Sequence, residues 1–190
     1  MFEPTRTHFL APLLAGCCIA STTLLAAEDH LRLKSVEAEW EAHDGTKSLD
    51  VELKTKVPIP ANGRSGAFGY AILTDQGNNA LVLVTHLPID DSSYERVPSG
   101  FHTHVLDLKA PGPACQGASF EVDLENSGKN RAFDANYRWS IDDNKARIED
   151  VPIADLGDAG VEAVASFVLK PVLGADGKPT NLCVTVIDQI

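Results

Sequence analysis

Two histidines spaced two apart, His102 and His104, sit in the segment Phe101-His102-Thr103-His104, and a third, His86, closes the apolar run Ala80-Leu81-Val82-Leu83-Val84-Thr85. On a β-strand, residues i and i+2 point to the same face with their bases about 7 Å apart, so two imidazoles placed this way can converge on one ion. His86 leaves its strand where the connection Leu87–Gly100 begins, and His102 follows where that connection ends. Antiparallel pairing of the two strands therefore brings all three rings to one end of a sheet. Three neutral imidazole nitrogens suit zinc, copper or iron, with water or a carboxylate completing the shell, and Asp90, Asp91 and Asp107 are the nearest carboxylates in sequence. The competing reading is structural: Leu106 and Leu108 continue the face of His102 and His104, and rings at the margin of a buried face are satisfied by backbone carbonyls without binding an ion.

The elements that would hold these rings read as strands. Period-2 alternation marks Leu31, Leu33, Val36, Ala38 and Trp40, with a bulge between the halves, and then Leu49, Val51, Leu53 and Thr55. Phe68–Leu73 and Ala80–Thr85 flank the turn-rich Asp75-Gln76-Gly77-Asn78-Asn79 and suit a hairpin. Phe101–Leu108, Phe120–Leu124 and Tyr137–Ile141 follow. Val161–Leu169 and Leu182–Ile187 should pair through Gly174-Ala175-Asp176-Gly177. No 3.6-residue apolar stripe is sustained beyond the leader. About nine short strands separated by turn signals predict an all-β fold, an antiparallel β-sandwich or Greek-key barrel. Trp40, Tyr137 and Trp139 are spaced as core or sheet-face aromatics.

Arg6 precedes an apolar run from Phe9 to Ala27 that turns charged at Glu28-Asp29, the pattern of a secretion signal. Residues 1–27 are thus expected to be a leader and residues 28–190 a single β-sandwich domain, periplasmic or secreted. A second cut site competes: Leu14-Ala15-Gly16-Cys17 resembles a bacterial lipobox, which would leave the protein lipid-anchored through Cys17. No later segment approaches the roughly 18 apolar residues needed to span a bilayer. Beyond the leader only Cys115 and Cys183 remain, and an even count in an oxidising compartment implies a disulfide. Cleavage after Ala27 would also put His30 third in the mature chain, a position where histidine and the amino terminus chelate Cu(II) or Ni(II).

The formal net charge of -11 disfavours nucleic acid and anionic lipid surfaces as partners, whereas it is compatible with cations. A serine hydrolase has no Gly-x-Ser-x-Gly elbow to rest on, and Gly63-Arg64-Ser65-Gly66 is a turn with no helix behind it to cradle phosphate.

Pro98-Ser99-Gly100-Phe101-His102-Thr103-His104, followed by Asp107 and Cys115, resembles the copper-site strand of the copper/zinc superoxide dismutases, and Asn181-Leu182-Cys183-Val184-Thr185-Val186-Ile187 resembles their last strand. The resemblance implies a Greek-key barrel, His102 and His104 as copper ligands and a Cys115–Cys183 disulfide. It does not extend to dismutation. No histidine follows His104 and no arginine follows Arg147, so the family's bridging and zinc-loop histidines, its last copper ligand and its substrate-guiding arginine have no counterpart, and His86 falls where the family has no ligand. Two functions follow from these residues: an exported protein that holds copper or zinc through His86, His102 and His104 for carriage, sensing or redox chemistry, or a non-enzymatic extracytoplasmic binding or structural module.

Overall fold

The computed structural model describes residues 29–43, 45–62, 64–74, 78–86 and 100–190. The leader with both cut sites, most of the Asp75–Asn79 turn and residues 87–99, including Asp90 and Asp91, lie outside the described residues. Ten strands are described: β1 (Leu33–His43), β2 (Thr46–Thr55), β3 (Phe68–Thr74), β4 (Asn79–Thr85), β5 (Phe101–Lys109), β6 (Phe120–Val122), β7 (Arg138–Asp142), β8 (Lys145–Pro152), β9 (Val161–Leu173) and β10 (Pro179–Gln189). A single-turn helix, α1 (Leu124–Ser127), follows β6, with the Asp123 side chain accepting from the Asn126 N–H at its start. Among the described residues no helix is long and apolar enough to cross a membrane.

The strands form two antiparallel sheets, as the alternation predicts. One has the order β1-β2-β8-β7, and the other closes into a six-stranded barrel, β10-β6-β5-β4-β3-β9. The β3–β6 meander makes four staves and the β9–β10 hairpin, turning at Gly174–Gly177, fits between β3 and β6 to complete the ring. The bulge expected in β1 is present as a register shift between Leu33 and Ser35.

β8 is the strand that the sequence pattern hides. Its pairing with β2 sets Val51 against Ile148 and Leu49 against Val151, so Glu149 and Asp150 together oppose the single residue Asp50. Asp150 has φ 60° and its N–H donates to the Asp50 carboxylate at 2.7 Å. This bulge breaks the alternation of Ala146 and Ile148 just before it would have been recognised.

Two cores result. Leu49, Val51, Leu53 and Ile148 of the open sheet pack against Phe68, Tyr70, Ile72, Leu81, Leu83, Phe101 and Val105 on the outer face of the barrel. The alternate residues of the same barrel strands (Ala71, Ala80, Val82, Val84) join Leu108, Val122, Phe167 and Val184 inside it. Because the four-stranded sheet covers one side and the barrel encloses the other, β4 is buried on both faces. That explains a continuous run Ala80–Thr85 where a half-exposed strand would alternate. Cys115 and Cys183 are disulfide-bonded, with Cα atoms 5.2 Å apart.

Candidate metal centre

The lumen face of β4 carries Ala80, Val82 and Val84, and His86 continues that row one step past the end of the strand. On β5 the residues His102, His104, Leu106 and Leu108 alternate with Phe101, Thr103 and Val105, which face the other way into the inter-sheet core. The ladder pairs Val82 with His104 and Val84 with His102. His86 is therefore the diagonal neighbour of His102 on the same face, a separation that long or aromatic side chains bridge. The expected antiparallel pairing thus brings the three rings together. Their ligand nitrogens all lie within 4.8 Å of one another.

Backbone carbonyls fix the tautomer of two of the rings. The Nδ1–H of His102 donates to the Gly100 carbonyl at 3.0 Å, and that of His104 to the Phe133 carbonyl at 2.5 Å. A carbonyl only accepts, so each Nδ1 keeps its proton and each Nε2 of the neutral ring presents a lone pair. The Nε2 atoms of His86 and His102 stand 3.0 Å apart. The His102 ring meets the His86 ring at 89° and the His104 ring at 86°, with centroids 4.7 and 4.6 Å away. An ion at about 2.0–2.1 Å from each of three tetrahedral nitrogens needs them about 3.4 Å apart. The observed separations, 3.0 Å for His86–His102 and no more than 4.8 Å for any pair, bracket that spacing. Metal-binding histidines are oriented by a partner such as a carbonyl on their second nitrogen, and two of the three rings have one. Gly100, with φ +69°, supplies one of these carbonyls from a conformation that residues with a Cβ rarely adopt.

The other carbonyl comes from a segment that spacing alone does not nominate. Only Leu108 and Lys109 of β5 pair with the short β6, which leaves the rest of that edge without a strand partner in the ladder. The chain after α1 covers it. The Val105 N–H donates to the Ala132 carbonyl, the Thr103 hydroxyl donates to the Ala135 carbonyl, and the Tyr137 N–H donates to the Thr103 hydroxyl. Phe133 stacks on His104 with ring centroids 5.1 Å apart. Buried hydrogen-bonding edges must be satisfied, and here satisfying one also locks a histidine.

His102 is 2% exposed and His104 6%, while His86 is part-exposed. His86 and His104 also stand in the wall of a partly open cavity of about 400 Å³ in the barrel lumen. The remaining candidates are elsewhere. Asp107 pairs with Asn79 at the opposite end of the β4–β5 ladder from the Thr85–Phe101 pair, and burial together with the nearby Asp123 raises its carboxyl above the usual range. The carboxylate bordering the cavity is Asp134, at its exposed rim. His43 ends β1 in the other sheet, and the His30 ring packs edge-on against Phe68 with centroids 4.6 Å apart. Comparison with protein-family models, curated proteins and solved structures finds no match to this chain.

Proposed function

We propose that this is an exported protein that holds one copper or zinc ion through the Nε2 atoms of His86, His102 and His104, for metal carriage, sensing or redox chemistry. The observation that carries this reading is the convergence of the ring nitrogens, with the tautomers of His102 and His104 set by carbonyls. A structural role accounts for the carbonyl partners and for the 3.0 Å contact between the Nε2 atoms of His86 and His102, whereas the approach of the third ring, His104, to the same point is what an ion would require. Three nitrogen donors with one open position suit either metal. The likeness of Gly100–His104 to a copper-site strand makes copper the first to test. The disulfide fits an oxidising compartment, where such bonds persist.

The alternative, a non-enzymatic module with structural histidines, draws on the deep burial of His102 and the stacking of His104 on Phe133. Metal analysis of protein purified without a histidine tag, followed by Cu(II) and Zn(II) titration against a competing chelator, separates the two. The metal reading expects one ion per chain, loss of at least 100-fold in affinity in His102→Ala and His104→Ala, and weakening in acid as protons compete for the ring nitrogens. Unchanged uptake in both variants, or no uptake by the native chain, hands the site to the structural module.

A further inference from the structure

We propose that the barrel lumen is a ligand chamber for a medium-chain alkyl carboxylate whose head occupies the open position of the ion at His86, His102 and His104. The proposal rests on the metal reading given above.

A six-stranded barrel is narrow, and side chains ordinarily fill so small an interior. Here small residues interrupt the lumen rows: Ala71 on β3, Ala80, Val82 and Val84 on β4, and Ala165 on β9, beside the larger Leu73, Phe167 and Leu169. The register stacks Ala71 between Val82 and Ala165, so three adjacent staves are small at the same level. What remains is a cavity of about 400 Å³, within the range of small-molecule sites, roughly 300–1,000 Å³. Its wall is otherwise aliphatic and aromatic, and among its described lining residues the polar ones are His86, His104 and Asp134. An apolar body with polar groups gathered at one place is the form of a site for an amphiphile with one head.

The charge of the ion selects that head. Three neutral imidazoles leave a divalent cation uncompensated beside an apolar wall, where unpaired charge is costly. An anion in the open position offsets part of it. A carboxylate persists in an oxidising compartment, whereas a thiolate is consumed there by disulfide formation.

The test uses the native chain loaded with Cu(II), after the copper content has been measured. Acetate, butanoate, hexanoate, octanoate and decanoate are titrated by calorimetry and by the visible Cu(II) band. The expected result is a shifted band and an affinity rising about fourfold per methylene until the lumen is full. Ala71→Phe and Ala165→Phe, each adding a ring to the lumen, should then cost decanoate at least tenfold while copper loading stays near one. Copper uptake with affinity independent of chain length, or with an unmoved band, overturns the chamber and leaves the metal reading intact. Failure to take up copper removes the metal reading, and this proposal with it. The chain-length series needs no variant, so a lumen substitution that fails to fold does not spoil the result.

Discussion

The strands β3, β4 and β5 each face two interiors, and the two are made differently. Outward, toward the four-stranded sheet, they present Phe68, Tyr70, Ile72, Leu81, Leu83, Phe101 and Val105, a run of large side chains that leaves Tyr70, Leu83 and Phe101 with no exposed surface. Inward, near the middle of the barrel, they present Gly69, Ala71, Ala80, Val82 and Val84, with Leu73, Leu106 and Leu108 toward one end and histidines where the outer row has Phe101 and Val105 as neighbours. Gly69 is the extreme case. A Cβ there would stand 2.5 Å from the Leu83 carbonyl and 2.9 Å from the Phe167 ring, which occupies the space. The difference teaches a division of labour by residue size within single strands. Large outer residues hold the barrel to the sheet, which leaves the inner rows free to forgo contact area for space and nitrogen donors.

The largest expected effect tests that division directly. Phe101 packs edge-on to Phe68 at 5.5 Å and lies 6.2 Å from Trp139, so Phe101→Ala opens a hole in a filled core and should cost about 3–5 kcal/mol in urea unfolding. Val82→Ala enlarges a space that already exists and should cost no more than about 1 kcal/mol. Equal costs would mean that the lumen is packed as tightly as the outer core, and would break the comparison.

The disulfide comes next. β6 meets β10 through only Phe120 with Val184 and Glu121 with Cys183, a thin seam at which the ring closes. Cys115–Cys183 spans 68 residues and crosses beside it, so replacing both cysteines by alanine should cost about 4 kcal/mol by loss of loop constraint. Hydrogen exchange should quicken first at Glu121, Val122 and Val184, with β3 and β4 protected longest. Uniform exchange across the barrel would place the weak point elsewhere.

How much of this was legible depended on whether the signal was local. Alternation in β2 and β5, the doubly buried run of β4 and the turn at Gly174–Gly177 state their strands outright. The three histidines follow from strand parity and one antiparallel pairing, both local rules. β8 was hidden because the Asp150 bulge and its flanking charges interrupt the pattern. Phe133, whose carbonyl locks His104 from 29 residues away, and the lumen, which exists only because the β9–β10 hairpin closes the sheet, depend on long-range assembly that no window of sequence contains. Asp107 illustrates the converse, a carboxylate near in sequence that the extended strand carries away from the rings.

A smaller effect links the lumen to stability. An ion that binds only the folded chain, present at 100 times its dissociation constant, should add about 2.7 kcal/mol. His102→Ala should abolish that increment; its metal-free midpoint is measured alongside and should itself fall, because the ring is buried and its loss leaves the Gly100 carbonyl unpaired. Retention of the increment in this variant would move the ion away from His102.

The smallest effect sits on the barrel's outer wall, where Glu121 is buried beside the disulfide seam. Its carboxylate accepts from the Asn181 side chain at 2.8 Å and the Gly112 N–H at 2.9 Å, and lies 3.4 Å from the Lys109 ammonium. The Asn181 hydrogen bond, followed by that from Gly112 and then by Lys109, holds its pKa below the ordinary value despite the opposing effect of burial. A carboxyl lowered in the folded state contributes stability that is fully present above its unfolded pKa, about 4.3, and is lost as pH falls through the folded one. Unfolding midpoints measured from pH 6 down to pH 3, values about which glutamate titrates, should therefore decline, and Glu121→Gln should flatten part of that decline. Glu52 and Asp123 are lowered as well and retain the rest of the slope. Asp107, whose pKa is raised, acts in the opposite sense: its protonation is easier in the folded chain and offsets some of the loss. A variant with the full native slope would show that the three contacts around Glu121 position β6 without contributing to acid sensitivity.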